Sequence, residues 1–195
     1  MKKISLIIFL LSFMYGFENS IFEFSYGNPK VSDNTISSQL KGNYSINFAI
    51  KNSMKNYLYK KCFIEYNIFD SNASKYEMYL IGLGVQRDFD LSKKISLQSS
   101  LSFGISDDQY KIKSNTGSNI QDDDYTFDDN YMFARLELGA SYSINSNFGI
   151  FLNYKSTYTN EQYGVMQIVD FNDFISAEYE KNIQYSSLNF GFILQ

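Results

Sequence analysis

The chain has 195 residues, no tryptophan or histidine, one proline, one cysteine and a formal net charge of −4. That length suits a single domain, and the acidic balance excludes nucleic acid as a partner, which would need a basic patch. The lone Cys62 excludes an intramolecular disulfide, and without histidine neither a thiol nor a hydroxyl has its usual activating base.

The first 20 residues, MKKISLIIFLLSFMYGFENS, read as a cleaved secretory signal peptide. Lys2 and Lys3 form the positive region, Ile4 to Met14 the apolar core, and Gly16 or Ser20 offers a small residue for cleavage, with Gly16 preferred. The apolar run is shorter than the ~20 residues of a transmembrane helix. No cysteine follows it, so a lipoprotein anchor is excluded. Cleavage after Gly16 leaves 15 basic against 21 acidic residues, a net −6. Residues 21–195 are expected to form one β-barrel domain.

From residue 21 onward, apolar and polar residues alternate with a period of two, the signature of strands with one apolar face. The 17 tyrosines and 18 phenylalanines fit a pleated surface. The first strand is expected near 21–28 (Phe22, Phe24, Tyr26) and the second near 40–50 (Tyr44, Ile46, Phe48, Ile50). The third runs near 57–69 (Cys62, Ile64, Tyr66, Ile68), with Cys62 as a small apolar filler, and the fourth near 76–87 (Tyr79, Ile81, Leu83, Val85). The fifth covers 95–106, the sixth 131–144 and the seventh 148–158. The eighth lies at 185–194 (Leu188, Phe190, Phe192, Leu194). The connections after the second, fourth and sixth strands, Lys51–Asn56, Asp88–Lys94 and Asn145–Asn147, are short. The connection at 29–35 holds the only proline, and long ones follow at 107–130 and about 159–184. The last contains Val165, Met166, Ile168, Val169, Phe171, Phe174 and Ile175, which suits a hairpin folded over the barrel mouth or a surface that contacts another protein.

Periodicity leaves open which face looks outward, since a soluble lipocalin-like binder also alternates, with its apolar residues inside. Three observations favour lipid outside. The polar face is mostly small and uncharged: Gly82, Gly84, Gln98, Ser100, Ser102, Gly104, Gly139, Ser141, Ser143, Ser187, Asn189 and Gly191. A water-exposed surface carries far more charge. Aromatic residues gather near both strand ends, with Phe22, Phe48, Phe89, Tyr142, Phe148 and Phe192 at one and Tyr26, Tyr66, Tyr79, Phe103, Tyr154 and Tyr185 at the other. These would form two interfacial girdles. Short turns on one side with long loops on the other complete the pattern. The mean hydropathy of −0.28 agrees, because every second strand residue is polar. The expected fold is an all-β, eight-stranded, antiparallel up-and-down transmembrane barrel. An even strand count puts both termini on the periplasmic side.

The signal, the eight alternating strands, the opening IFEFSYG and the closing SLNFGFILQ resemble small outer-membrane β-barrel proteins of the OmpA, OmpX and opacity type. The likeness is architectural and spans the mature chain. It implies a bacterial outer-membrane location, contact with outer-membrane lipid and lipopolysaccharide, and insertion by the barrel-assembly machinery. Members commonly end in a lipid-facing aromatic residue; here Leu194 holds that register and Gln195 follows it.

Lys61, Glu65, Arg135, Glu137 and Lys155 fall on the inward register. Charges there must pair, because a low-dielectric interior penalises isolated ions. They read as a salt-bridge network filling the lumen, or more sharply as an ion-selective constriction. Asp122, Asp123, Asp124, Asp128 and Asp129 crowd the connection at 107–130, with Asp107 and Asp108 at its start. They read as a solvated acidic loop or as oxygen ligands for a divalent cation, although no calcium-loop pattern is present. No phosphate-cradling glycine loop, Cys/His metal site or nucleotide fingerprint is found, so no cofactor is expected. Outer-membrane acyltransferases, deacylases, phospholipases and proteases use a catalytic histidine, which this chain lacks. The expected role is non-enzymatic: structural, or surface interaction through the long loops. The alternatives are a narrow channel, and a soluble lipocalin-like binder.

Overall fold

A computed structural model describes residues 20–32, 41–54, 57–70, 74–112, 130–162, 165–170, 173–177 and 182–195. The signal segment 1–19 and the acidic positions 122–124, 128 and 129 lie outside them. The strands are β1 Ser20–Val31, β2 Lys41–Ser53, β3 Leu58–Asp70, β4 Ser74–Asp90, β5 Ile95–Ile112, β6 Asn130–Ser143, β7 Phe148–Gln162, β8 Val165–Asp170, β9 Asp173–Ala177 and β10 Asn182–Leu194. Eight of them close an antiparallel barrel in the order β1-β10-β7-β6-β5-β4-β3-β2, each paired with its neighbour in the chain apart from the closing pair and the β7–β10 step. β8 and β9 form a separate hairpin between β7 and β10, within the apolar-rich connection.

The stagger follows from the register. From Tyr26 the pairing runs through Ile46 and Tyr66 to Tyr79 in one direction. In the other it runs through Phe190, Leu152, Ala140 and Leu97 to Phe89. Both walks end on β4, ten residues apart (89 − 79), and that is the shear of the barrel. Strands in such barrels tilt by roughly 35–45°.

Three tight turns close one end. Met54 N–H bonds the Leu58 carbonyl, Leu91 and Ser92 N–H both bond Ile95 O, and Ile144 and Asn145 N–H bond Phe148 O. Ser92 Oγ and Asn145 Oδ1 each accept two further backbone N–H groups, the side-chain device that favours these residues in turns. Gln195 N–H bonds Asn147 O, which places the C-terminus at this end. The opposite end carries the longer connections. There the β4–β5 hairpin pairs as far as Ser74 with Ile112, while β5–β6 pairing stops at Asp107 with Asn130.

Several sequence expectations are corrected. Pro29 belongs to β1, opposite Ser187. Pairing of β1 with β2 stops at Gly27, so a residue without N–H is tolerated on that side. A Cβ at Gly42 would overlap the Pro29 carbonyl, so the glycine permits the approach of β2. Asp107 and Asp108 are strand residues of β5, and residues 107–112 extend that strand. Lys51 is part of β2 rather than of the following turn. Tyr185 is fully buried and faces inward, because it shares the register of Ser187 and Asn189; it belongs to no girdle.

The alternation resolves into two surfaces. Phe24, Tyr26, Ile64, Phe103, Leu136, Leu152, Leu188 and Phe190 are about half exposed on the outside. Glu23, Lys51, Lys61, Glu65, Arg135, Glu137 and Lys155 are buried inside. An apolar belt running round the whole barrel has no protein to cover it, and lipid is the solvent that suits it. The reverse arrangement, an inward apolar face binding a ligand, is overturned by those inward charges. On the outside Tyr26 stacks on Tyr44 and Tyr66 on Tyr79 near the long connections, and Phe22 stacks on Phe48 and Phe148 on Phe192 near the short turns.

Inward glycines make room for the lumen aromatics. A Cβ at Gly82 would lie 2.5 Å from Phe63 Cζ and 2.9 Å from Phe133 Cζ. Overpacking of this kind costs about 1–3 kcal/mol. Gly82→Val is therefore expected to lower the stability of the detergent-folded barrel by that amount in urea titration, while Ser99→Val on the outer face leaves it within ~0.5 kcal/mol.

Candidate functional site

The lumen is layered. At the long-connection end Val31, Phe69, Tyr76, Met78, Leu80, Ile183 and Tyr185 form a buried apolar cluster that continues inward to Phe63 and Phe133. Phe69 packs against Tyr76 at 5.9 Å and edge-on against Tyr185 at 5.6 Å. Below it lie the charges, and below those a polar cavity of about 190 Å³ at the short-turn end, lined by Lys51, Tyr59, Asp88, Gln98, Ser141 and Gln195 among others.

Two knots hold the charges. In the first, Glu65 receives Arg135 in a two-pronged contact, NH1 to Oε2 at 2.9 Å and NH2 to Oε1 at 2.6 Å. Lys155 Nζ donates to Oε2 at 2.7 Å, and Asn47 and Asn67 each donate an amide N–H to the same carboxylate. Arg135 also donates from Nε to Thr157 Oγ1, and NH2 reaches Tyr185 Oη at 3.3 Å. Its guanidinium lies over the rings of Phe63 and Phe133, at 4.6 and 5.5 Å from their centres. Arg135 thus joins the charged layer to the apolar one. A planar, weakly hydrated cation suits both contacts better than an ammonium would.

In the second knot Lys61 bridges Glu137 at 2.7 Å and Glu23 at 3.4 Å, and Lys51 bridges Glu23 at 2.7 Å and Asp88 at 3.8 Å. Lys61 also donates to Gln86 Oε1. Lys51, Lys61, Arg135 and Lys155 are thereby matched by Glu23, Glu65, Glu137 and Asp88, four charges of each sign. Buried ions are tolerated when paired, and each of these has an opposite charge within 4 Å.

The five inward charges read from the sequence are therefore brought together, but in two separate knots. Glu65, Arg135 and Lys155 make the first, and Lys61 and Glu137 belong to the second. Sequence reading missed Glu23 and Lys51. Their signal was present: Glu23 alternates with Phe22 and Phe24, and Lys51 continues the series Ser45, Asn47, Ala49. It also missed the apolar layer, because Phe63, Phe69, Met78, Leu80 and Phe133 sit on the register expected to be polar. Cys62 is half-buried on the outer register, between Ile50 and Leu83.

Unpartnered polar oxygens run round the lumen. Ser25, Ser45, Asn67, Ser100, Ser102, Ser106, Asn153 and Asn189, on β1, β2, β3, β5, β7 and β10, each keep a buried oxygen without a protein partner among the described residues. Buried polar atoms of this kind are satisfied by internal water.

A closed eight-stranded barrel with an apolar belt outside and paired ions inside defines the class of small outer-membrane β-barrels. No family model and no curated protein matches the chain. Solved structures of that class do. The chain is similar to neisserial surface protein A, with 15% identity over 90% of this chain and 96% of that one, at a TM-score of 0.57. It is also similar to a major outer-membrane protein of Thermus thermophilus, with 9% identity over 91% and 99% at 0.52. Ail, the attachment invasion locus protein of Yersinia pestis, is 13% identical over 90% and 97%, at 0.50. At these identities the likeness is one of fold.

Removing one partner from a buried ion pair strands the other charge and costs about 3–5 kcal/mol. Glu65→Gln is expected to destabilise the detergent-folded barrel by that amount, measured by urea titration of the heat-sensitive gel form. Adding Arg135→Met to it should cost less than the sum of the two single changes, since the pair acts as a unit.

Proposed function

We propose that the protein is a non-enzymatic outer-membrane barrel with a structural or surface-interaction, adhesion-like role, acting through its long connections. The observation that carries this reading is the occupied lumen. The inward charges neutralise one another and the long-connection end is filled by packed aromatic and aliphatic side chains. Chemistry available to a partner then lies in the connections and the outer belt. Short turns of such barrels face the periplasm and long loops the exterior. In this reading the belt contacts outer-membrane lipid and lipopolysaccharide, and the barrel-assembly machinery receives the closing β10 segment during insertion. The outer connections, including Asp122–Asp124, Asp128 and Asp129, would meet an extracellular protein or surface. That Ail and neisserial surface protein A are named for attachment and for the cell surface supports the reading by analogy of fold.

A second reading, a narrow channel, is favoured by the unpartnered lumen oxygens and the cavity at the short-turn end. The apolar cluster stands against it, and conductance separates the two. Purified barrel in a planar bilayer is expected to give no unitary current steps; regular steps would replace the first reading with the second. Adhesion is tested in cells displaying the full chain and in cells where 113–129 and 163–181 are replaced by short turns. Both forms should sediment with outer membrane and shift on gels when boiled. Only the full chain should raise attachment to protein-coated surfaces. Equal attachment would sink the loop assignment, turnover of labelled lipid A would sink the non-enzymatic one, and a soluble product would sink both.

A further inference from the structure

At the short-turn end the lipid-facing register is apolar apart from the hydrogen-bonded Ser20 and Asn52 on β1 and β2 and one basic sector. There Lys60 on β3, Arg87 on β4 and Lys94 in the following turn lie on the outside of the barrel, while Lys93 of the same turn lines the short-turn cavity. Lys60 stands opposite Val85 and Arg87 opposite Leu58, so the two are diagonal neighbours within reach of long side chains. The Arg87 guanidinium lies 4.9 Å from the centre of the Phe89 ring, and Lys94 Nζ lies 5.9 Å from that of Tyr142. Those rings are in the aromatic belt, where hydrocarbon gives way to headgroups. The nearby acids belong to the other register. Asp88 faces Lys51 and Gln86 in the lumen, and Asp90 accepts the Ser96 hydroxyl. Among the described residues, the lipid-facing register at this end carries no carboxylate. Nor does it carry a basic side chain on β1, β2, β6, β7 or β10. Toward the middle of the barrel the same sector presents exposed Val85, Leu97 and Leu101.

We infer that this sector binds an acidic glycerophospholipid of the leaflet that meets the short turns, an inference that rests on the membrane-barrel reading. The lipid phosphate lies against Arg87, whose planar fork matches two phosphate oxygens. Lys60 and Lys94 flank it, and the acyl chains run along Val85, Leu97 and Leu101. The site is one-sided, so it gives the barrel a preferred lipid neighbour at β3–β5 rather than a uniform annulus. It also adds an electrostatic anchor at the end opposite the long connections.

The test uses the full chain folded in detergent and supplied with equal phosphatidylglycerol and phosphatidylcholine of identical acyl chains. Retained lipid is counted by native mass spectrometry. Each basic residue at a membrane surface strengthens binding of an acidic lipid roughly fivefold. Phosphatidylglycerol should therefore be retained roughly tenfold or more over phosphatidylcholine. The preference should vanish in R87Q/K94Q and persist in K30Q/K41Q, which changes exposed lysines at the other end. Heat-dependent gel mobility checks each variant for folding, so a failed barrel is distinguished from a failed lipid site. Equal retention of the two lipids by the unmodified protein, or an unchanged preference in R87Q/K94Q, would overturn the site. So would equal loss in K30Q/K41Q, which would mark the preference as one of overall charge.

Discussion

In hydrocarbon, a backbone N–H or C=O left without a partner costs several kcal/mol, and a sheet can meet that demand only by having no edge. The pairing of β1 with β10, from Phe22 with Leu194 to Val31 with Tyr185, removes the edge here. Everything else follows from that closure. It sorts each strand residue to the lipid or to the lumen, sets the stagger of ten, and confines charged side chains to a narrow interior in which they must find one another. It also explains why strands longer than the ~9–11 residues needed to cross a bilayer are tolerated: the surplus of β4 and β5 extends past the belt as a hairpin that keeps its own ladder.

The interior solves two problems at once. A lumen of eight strands is too narrow for a free aqueous pore yet too wide to be filled by serines and glycines alone. Large aromatics, Phe63, Phe133 and Phe151, reach into it from β3, β6 and β7, with Gly82, Gly104 and Gly191 leaving them room. Arginine and lysine reach across elsewhere and take their counter-charges from opposite strands: Arg135 and Glu65 are 70 residues apart in the chain, and Lys155 and Glu65 are 90. Each such pair ties two walls together and rewards one register over its neighbours, because a slip by one residue would turn every one of these ions toward lipid.

The two ends of the molecule differ in chemistry. At the short-turn end, turns capped by Ser92 and Asn145 are tight, the cavity is polar, and the lipid-facing cations sit over aromatic rings. At the other end the lumen is rich in aromatic and aliphatic side chains, and the connections are long. The apolar belt is common to both ends, so this polarity resides in the lumen and the connections.

Alternation by itself determined the strand pattern, the even count, the short and long connections, and the parity of Lys61, Glu65, Arg135, Glu137 and Lys155, because a period of two is a local property that survives any packing. What it could not carry was identity of contact. Tyr185 illustrates this: its residue type suits an interfacial girdle, and only the pairing of β10 with β7 and β1 turns it inward onto Phe69 and Arg135. Phe63, Met78 and Leu80 likewise needed the closed barrel to be recognised as lumen residues, since hydrophobicity alone sends them to lipid. The division of the charges into two knots was decided by shear, which sets the height at which each side chain enters the lumen and which strands it faces across it. That is a sum over all eight registers and has no signature in any one segment.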